Sequence, residues 1–149
     1  MSEGCVFCDH SWMRAAEIFI ETPHCIFAAT RDPDIRAQAG LAEGVLPGYG
    51  AIVPIAHRTS VFELTPAEWA DTRDLLLQAR MALHDLLAPD GYLLGWNQGG
   101  ALHLHMHVIP RFDDEPLSDR WLRSANNVPE NRRPDPWARG SGRELRGAG

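Results

Sequence analysis

The segment HLHMHVIPRF places three of the chain's seven histidines, His103, His105 and His107, at alternate positions, with Leu104, Met106 and Val108 between them. Successive side chains of a β-strand point to opposite faces, so the pattern predicts a strand with an apolar back and an imidazole-lined front. Imidazole titrates near neutrality and serves as nucleophile, proton carrier or metal ligand. Neighbours in such a row stand ~6.6 Å apart along the strand and the outer two ~13 Å. Two adjacent members can therefore converge on one ion, but all three cannot unless the strand bends. The plain alternative is a solvent-facing strand that happens to be rich in histidine. A row of imidazoles ending at Arg111 suits a preorganised phosphate or nucleophile site better. Arg111 itself reads equally well as an exposed strand-end residue.

Other residues bear chemistry too. Cys5-Val6-Phe7-Cys8 is a lone C-x-x-C, open between a zinc half-site, a redox pair and two small buried apolar groups. A redox pair opens a helix after a strand, and no room for that strand exists here. Zinc takes four ligands, often Cys2His2, and His57 at one strand end and His103 at the start of another are suitable donors. Asn97-Gln98-Gly99-Gly100 is a turn that also brings amide donors close to the histidine strand. Cys25 reads as core, and His10, His24 and His84 as surface or capping residues.

The elements that must position these groups are legible in outline. Trp12 to Phe19 contains a short helix. IFIET and CIFAAT flank Pro23-His24 as two strands and a turn, and residues 31–50 form a loop with room for a helical turn. AIVPIAH is a strand with Pro54 at its end or on an edge. Thr65-Pro66-Ala67-Glu68 is a capping box that opens the clearest helix, with Trp69, Thr72, Leu76, Ala79, Leu83 and Leu86 as its apolar stripe. YLLGWN and the histidine segment make a hairpin across Gln98-Gly99-Gly100. Strands that neighbour in sequence, rather than alternate with helices, predict an antiparallel α+β fold.

The composition of the 149-residue chain excludes several classes of function. Its net charge of −6 gives no general attraction to nucleic acid or an anionic membrane. All fourteen basic residues are Arg, which removes phosphate-loop lysines, Schiff bases and Ser–Lys dyads. Three cysteines do not make a disulfide scaffold. The N-terminus lacks the pattern of a secretory signal and no apolar run has the length of a membrane span, so a cytoplasmic protein is expected.

Taken together, HLHMHVIPR, the N-terminal C-x-x-C, PGYGAIVPIAH ahead of a helix opening with LTPAE, and GYLLGWNQG ahead of the histidines resemble the histidine-triad (HIT) superfamily, in its zinc-containing bacterial-type branch. The likeness runs over roughly residues 5–112. It implies a HIT-like catalytic domain over residues 1–112, an antiparallel five-stranded sheet with one long and one or two short helices. Residues 113–149 form a Pro/Arg/Gly-rich tail, partly extended or disordered. The resemblance further implies a homodimeric, nucleotide-binding hydrolase or nucleotidyl transferase of the nucleoside phosphoramidase or dinucleoside polyphosphate hydrolase type. Such an enzyme cleaves a phosphoramidate or phosphoanhydride bond through a covalent nucleotidyl-histidine. His105 would be the nucleophile, and His107 would contact the phosphate and handle the leaving group's proton. Asn97 matches the phosphate-side Asn, Asp32 a ribose-binding acid, and Gln98 and Arg111 complete the expected substrate contacts. Structural zinc would be held by Cys5, Cys8, His57 and His103. The chain departs from the family in two places: Gly99 stands where a phosphate-binding Gln is usual, and Tyr49 where many relatives have Pro-Gly-His. A rival reading is a non-catalytic nucleotide-binding or protein-interaction module, and another is a zinc-dependent phosphoester hydrolase. In the net-positive tail, Arg120 or Arg123 folding back over the phosphate would replace the lost amide; the alternative is a solubilising end.

Overall fold

The computed structural model describes residues 4–29, 48–100 and 102–113. Asp32, the loop around it and the tail with Arg120 and Arg123 lie outside the described residues. In chain order the elements are α1 (Ser11–Arg14), β1 (Ile18–Glu21), β2 (Cys25–Ala29), β3 (Gly50–Pro54), a 3-10 turn (Val61–Glu63), α2 (Pro66–Leu87), β4 (Gly91–Asn97) and β5 (His105–Arg111). The five strands form one antiparallel sheet in the order β1-β2-β3-β5-β4. This is the α+β architecture that the resemblance implies.

β2 is buried along its whole length because both faces of the sheet are covered. On one face Cys25, Phe27 and Ala29 join Ile52, Met106 and Val108 beneath Leu75, Ala79, Leu83 and Leu87 of α2. On the other, Ile26, Ala28 and Val53 meet Phe7 and Met13 from the N-terminal segment. Each fully buried aliphatic or aromatic side chain contributes about 1.5–3 kcal/mol, so these two layers fix how β3 and β5 lie beside each other.

α2 begins as its sequence dictates. Thr65 accepts from the Glu68 N–H, the Glu68 carboxylate accepts from the Thr65 N–H at 2.7 Å, and Pro66 opens the helix. The stripe differs in detail from the periodicity. Glu68 is 3% exposed while Trp69 is 45% exposed, and Leu75 and Leu87 are buried where Leu76 and Leu86 were expected. The reason is electrostatic at the first turn: Arg58 reaches Glu68 at 3.0 Å, so the carboxylate is paired and can go inward. Trp69 lies edge-on to Trp96 instead, with ring centroids 5.9 Å apart.

Pro54 closes β3, where its missing N–H breaks no ladder bond. The strand carrying the histidines starts at His105, so His103 precedes it rather than sharing its front face. The cause is a crossing outside the ladder, where the Leu104 N–H donates to the Arg58 carbonyl at 2.7 Å. No helix among the described residues is long and apolar enough to cross a membrane.

Candidate active site and metal centre

The N-terminal turn is closed by the Cys8 N–H donating to the Cys5 carbonyl at 3.1 Å, which directs both thiols the same way. They meet His57 from beyond β3 and His103 from ahead of β5, and the four ligand atoms all lie within 4.8 Å of one another. Cys8 Sγ is 3.2 Å from His57 Nδ1, and His103 Nδ1 is 3.5 Å from each sulfur. A tetrahedral ion with metal–sulfur bonds of ~2.3 Å and metal–nitrogen bonds of ~2.05 Å separates S from N by ~3.6 Å. The spacing therefore fits one four-coordinate ion. His103 is prepared as a ligand as well. Its Nε2–H donates to the Pro54 carbonyl at 2.8 Å, which leaves the Nδ1 lone pair facing the sulfurs. Burial pushes its pKa down to about 4, so the ring is neutral, as a ligand must be.

His105 and His107 remain on the sheet face opposite α2, their ring centroids 4.7 Å apart. The His105 Nδ1–H donates to the His103 carbonyl at 2.9 Å. A carbonyl only accepts, so the proton sits on Nδ1 and the lone pair on Nε2. Burial lowers the pKa of His105, and it lowers that of His107 to about 4, with the charge of His105 as a further cause. His107 is in register with Ala51 on one side and Gly95 on the other, both small residues.

Two further side chains complete this row, and the sequence reading assigned a site role to neither. Phe7, inside the C-x-x-C, lies against His105 with centroids 4.7 Å apart and planes at 31°. Tyr49 stacks on His107 at 5.4 Å and 30°, and its hydroxyl is hydrogen-bonded to His107 Nδ1. The glycines around Tyr49 make that approach possible. Gly48 has φ +71°, and a Cβ there would lie 2.7 Å from Leu87 Cδ1; one at Gly50 would lie 2.7 Å from the Ala28 carbonyl oxygen. The only sequence signal was that Tyr49 departs from the family pattern.

The expected substrate residues are spread wider. Asn97 ends β4 in register with His105 and is exposed. Gln98 turns its side-chain oxygen to the Val61 N–H at 2.8 Å, and the Gly99 N–H donates to the Thr59 carbonyl. Both bonds tie the β4–β5 connection to the segment after His57. Arg111 ends β5, four residues and so about 13 Å along the strand from His107. Cys25 is fully buried, and burial pushes its thiol up to about 11, as core packing requires. His24 is tied to α2 through Asp71, with its ring 2.9 Å from the carboxylate.

No family model matches the chain, and no curated protein matches it in sequence. Solved structures do match. One is a HIT family protein from Bacillus anthracis, with a TM-score of 0.56 and 20% identity over 88% of this chain and 91% of that one. A Zn-bound histidine triad family protein from Mycobacterium smegmatis has a TM-score of 0.54 and 20% identity, covering 85% and 90%. A HIT family hydrolase from Clostridium thermocellum has a TM-score of 0.52 and 22% identity, covering 80% and 100%. The chain has the HIT fold.

Proposed function

We propose that the protein is a HIT-type nucleotide-binding hydrolase or nucleotidyl transferase, which cleaves a phosphoramidate or phosphoanhydride bond through a nucleotidyl adduct on His105. The observation that carries this reading is the bond from His105 Nδ1–H to the His103 carbonyl, because it leaves Nε2 as a neutral nucleophile held in one direction. Nε2 attacks the phosphorus, and the leaving group departs with the bonding pair. It takes a proton that passes through His107. Water then attacks the same phosphorus, the electron pair of the P–N bond returns to Nε2, and a proton from the water passes back through His107.

Asn97, opposite His105, would meet the reacting phosphate, with Gln98 beside it. Arg111 suits a more distant part of the substrate, and Asp32 the ribose. Zinc is the ion that two thiolates and two imidazoles select, and Cys5, Cys8, His57 and His103 would hold it. When bound it supplies a cross-link between the N-terminal turn and the flanks of β3 and β5. Four protein donors fill a tetrahedral shell, which favours structural zinc over a zinc-dependent hydrolase. The reading includes a cytoplasmic homodimer.

Incubation with nucleoside phosphoramidates, dinucleoside polyphosphates and small phosphomonoesters tests the proposal. Turnover is expected with one of the first two classes. His105→Asn should abolish it while keeping the fold and nucleotide binding. Turnover by that variant near the wild-type rate, or an adduct trapped on His103 or His107, would refute the assignment.

A further inference from the structure

His105 and His107 are the same side chain on the same strand face, yet the reaction needs one as nucleophile and the other as proton donor. Only their surroundings can separate them. Behind His105 lies a carbonyl, a pure acceptor, which puts the hydrogen on Nδ1 and the lone pair on Nε2. Behind His107 lies the hydroxyl of Tyr49, which can donate. Tyr49 is 5% exposed and stacked on the same imidazole, between two glycines packed too closely for a Cβ.

We propose that Tyr49 is the positioning residue of His107: its phenol O–H donates to Nδ1, sets the tautomer with hydrogen on Nε2, and makes good the proton that Nε2 gives to the leaving group. The inference rests on the hydrolase reading for its chemistry and on the contact between the phenol and Nδ1 for its tautomer. As the P–N or P–O bond breaks, the Nε2 hydrogen goes to the leaving atom and the phenol proton moves to Nδ1. The imidazole stays neutral and Tyr49 becomes a phenolate. His105 meanwhile holds both its Nδ1 hydrogen and the phosphorus, so it carries a positive charge one ring away, at 4.7 Å between centroids. That charge offsets the phenolate. When water attacks, its proton goes to His107 Nε2 and the Nδ1 hydrogen returns to the phenolate, which restores the resting state.

The low proton affinity of His107 agrees with this route. With a pKa of about 4, an imidazolium is present at pH 7 in about one molecule in a thousand, whereas the relay needs only the neutral ring. The relay also predicts specificity. It matters for leaving groups that must be protonated, such as alkylamines and alcohols, and little for nitrophenol or phosphate, which leave as stable anions.

Two measurements test this. In the free wild-type protein, 15N chemical shifts of the His107 ring, assigned against His107→Asn, should report the Nε2–H tautomer. In Tyr49→Phe, which keeps the ring and its stacking, the Nδ1–H form should appear. In kinetics, Tyr49→Phe should lower kcat by about 10²-fold or more for an alkylamine leaving group, the range of general acid catalysis, and only a few-fold for nitrophenol, with KM nearly constant. A wild-type His107 in the Nδ1–H form, or equal losses on both leaving groups, would overturn the proposal. If the wild type turned over no substrate, the hydrolase reading would fall, while the tautomer measurement would still decide the Tyr49–His107 assignment.

Discussion

What distinguishes the two imidazoles of the proposed reaction is the atom behind each ring, and what favours the neutral form of both is burial. His107 is held at about 4 against an ordinary 6.5. An unfolded chain would begin to bind this proton near pH 6.5, whereas the folded chain waits until about 4. Between those values the unfolded state carries more protons. The stability contributed by His107 is therefore complete above pH 6.5, lost as the pH falls toward 4, and level below that. Burial lowers the pKa of His105 as well, so it acts in the same sense. Melting curves at pH 7 and pH 4.5 should show a larger acid loss in the wild type than in His107→Gln, which has no proton to gain. Equal losses would mean that His107 is not held neutral by the fold.

At the scale of elements, three segments of irregular backbone converge beside the sheet. The segment after β3 is pinned at Arg58 by the buried carboxylate of Glu68, at 3.0 Å. The β4–β5 connection is bonded to it three times, through Gln98 to Val61, Gly99 to Thr59 and Leu104 to Arg58. The N-terminal turn joins them through its two cysteines, and Phe7 in that turn bears on His105. An ion there would tie together backbone that no ladder holds. Metal analysis of protein purified without chelator should give about one zinc per chain. Cys8→Ser should lower Tm on the order of 10 °C, the effect of a few kcal/mol in a domain of this size. The kcat of the remaining folded enzyme should fall less than tenfold, because no metal ligand touches the reacting atoms. A metal-free protein, with stability and rate indifferent to chelator, would remove the site.

Among the described residues the sheet ends in two outer strands, β1 and β4. β4 is an outer strand, tied to α2 by the Tyr92 hydroxyl donating to the Arg80 carbonyl at 3.3 Å. Leu94 on that strand is 48% exposed, and on α2 Trp69, Leu77 and Met81 are 45%, 45% and 68% exposed. An edge strand bordered by apolar side chains suits pairing with a second copy across a two-fold axis. Sedimentation should give a dimer for the wild type. Leu94→Arg with Met81→Glu should give a folded monomer, since both side chains already face water in the single chain. A wild-type monomer at micromolar concentration would end the homodimer reading.

By itself the sequence determined what local physics determines. Thr65-Pro66-Ala67-Glu68 fixed where α2 starts, because caps are settled within one turn. Alternation from His105 onward fixed a strand with imidazoles on one face, because the pleat repeats every second residue. The resemblance named Cys5, Cys8, His57 and His103 together, and their atoms do converge. Tertiary structure decided the rest. Glu68 went inward and Trp69 outward because Arg58, ten residues away, supplied a partner for the carboxylate. His103 left the strand because the chain crosses Arg58 there, and its ring joined thiols up to 98 residues distant. Tyr49 met His107 across 58 residues, between two glycines packed too closely for a Cβ. Periodicity specifies which way a side chain points. It does not specify which distant atom waits there, and for these histidines that atom decides which nitrogen holds the proton.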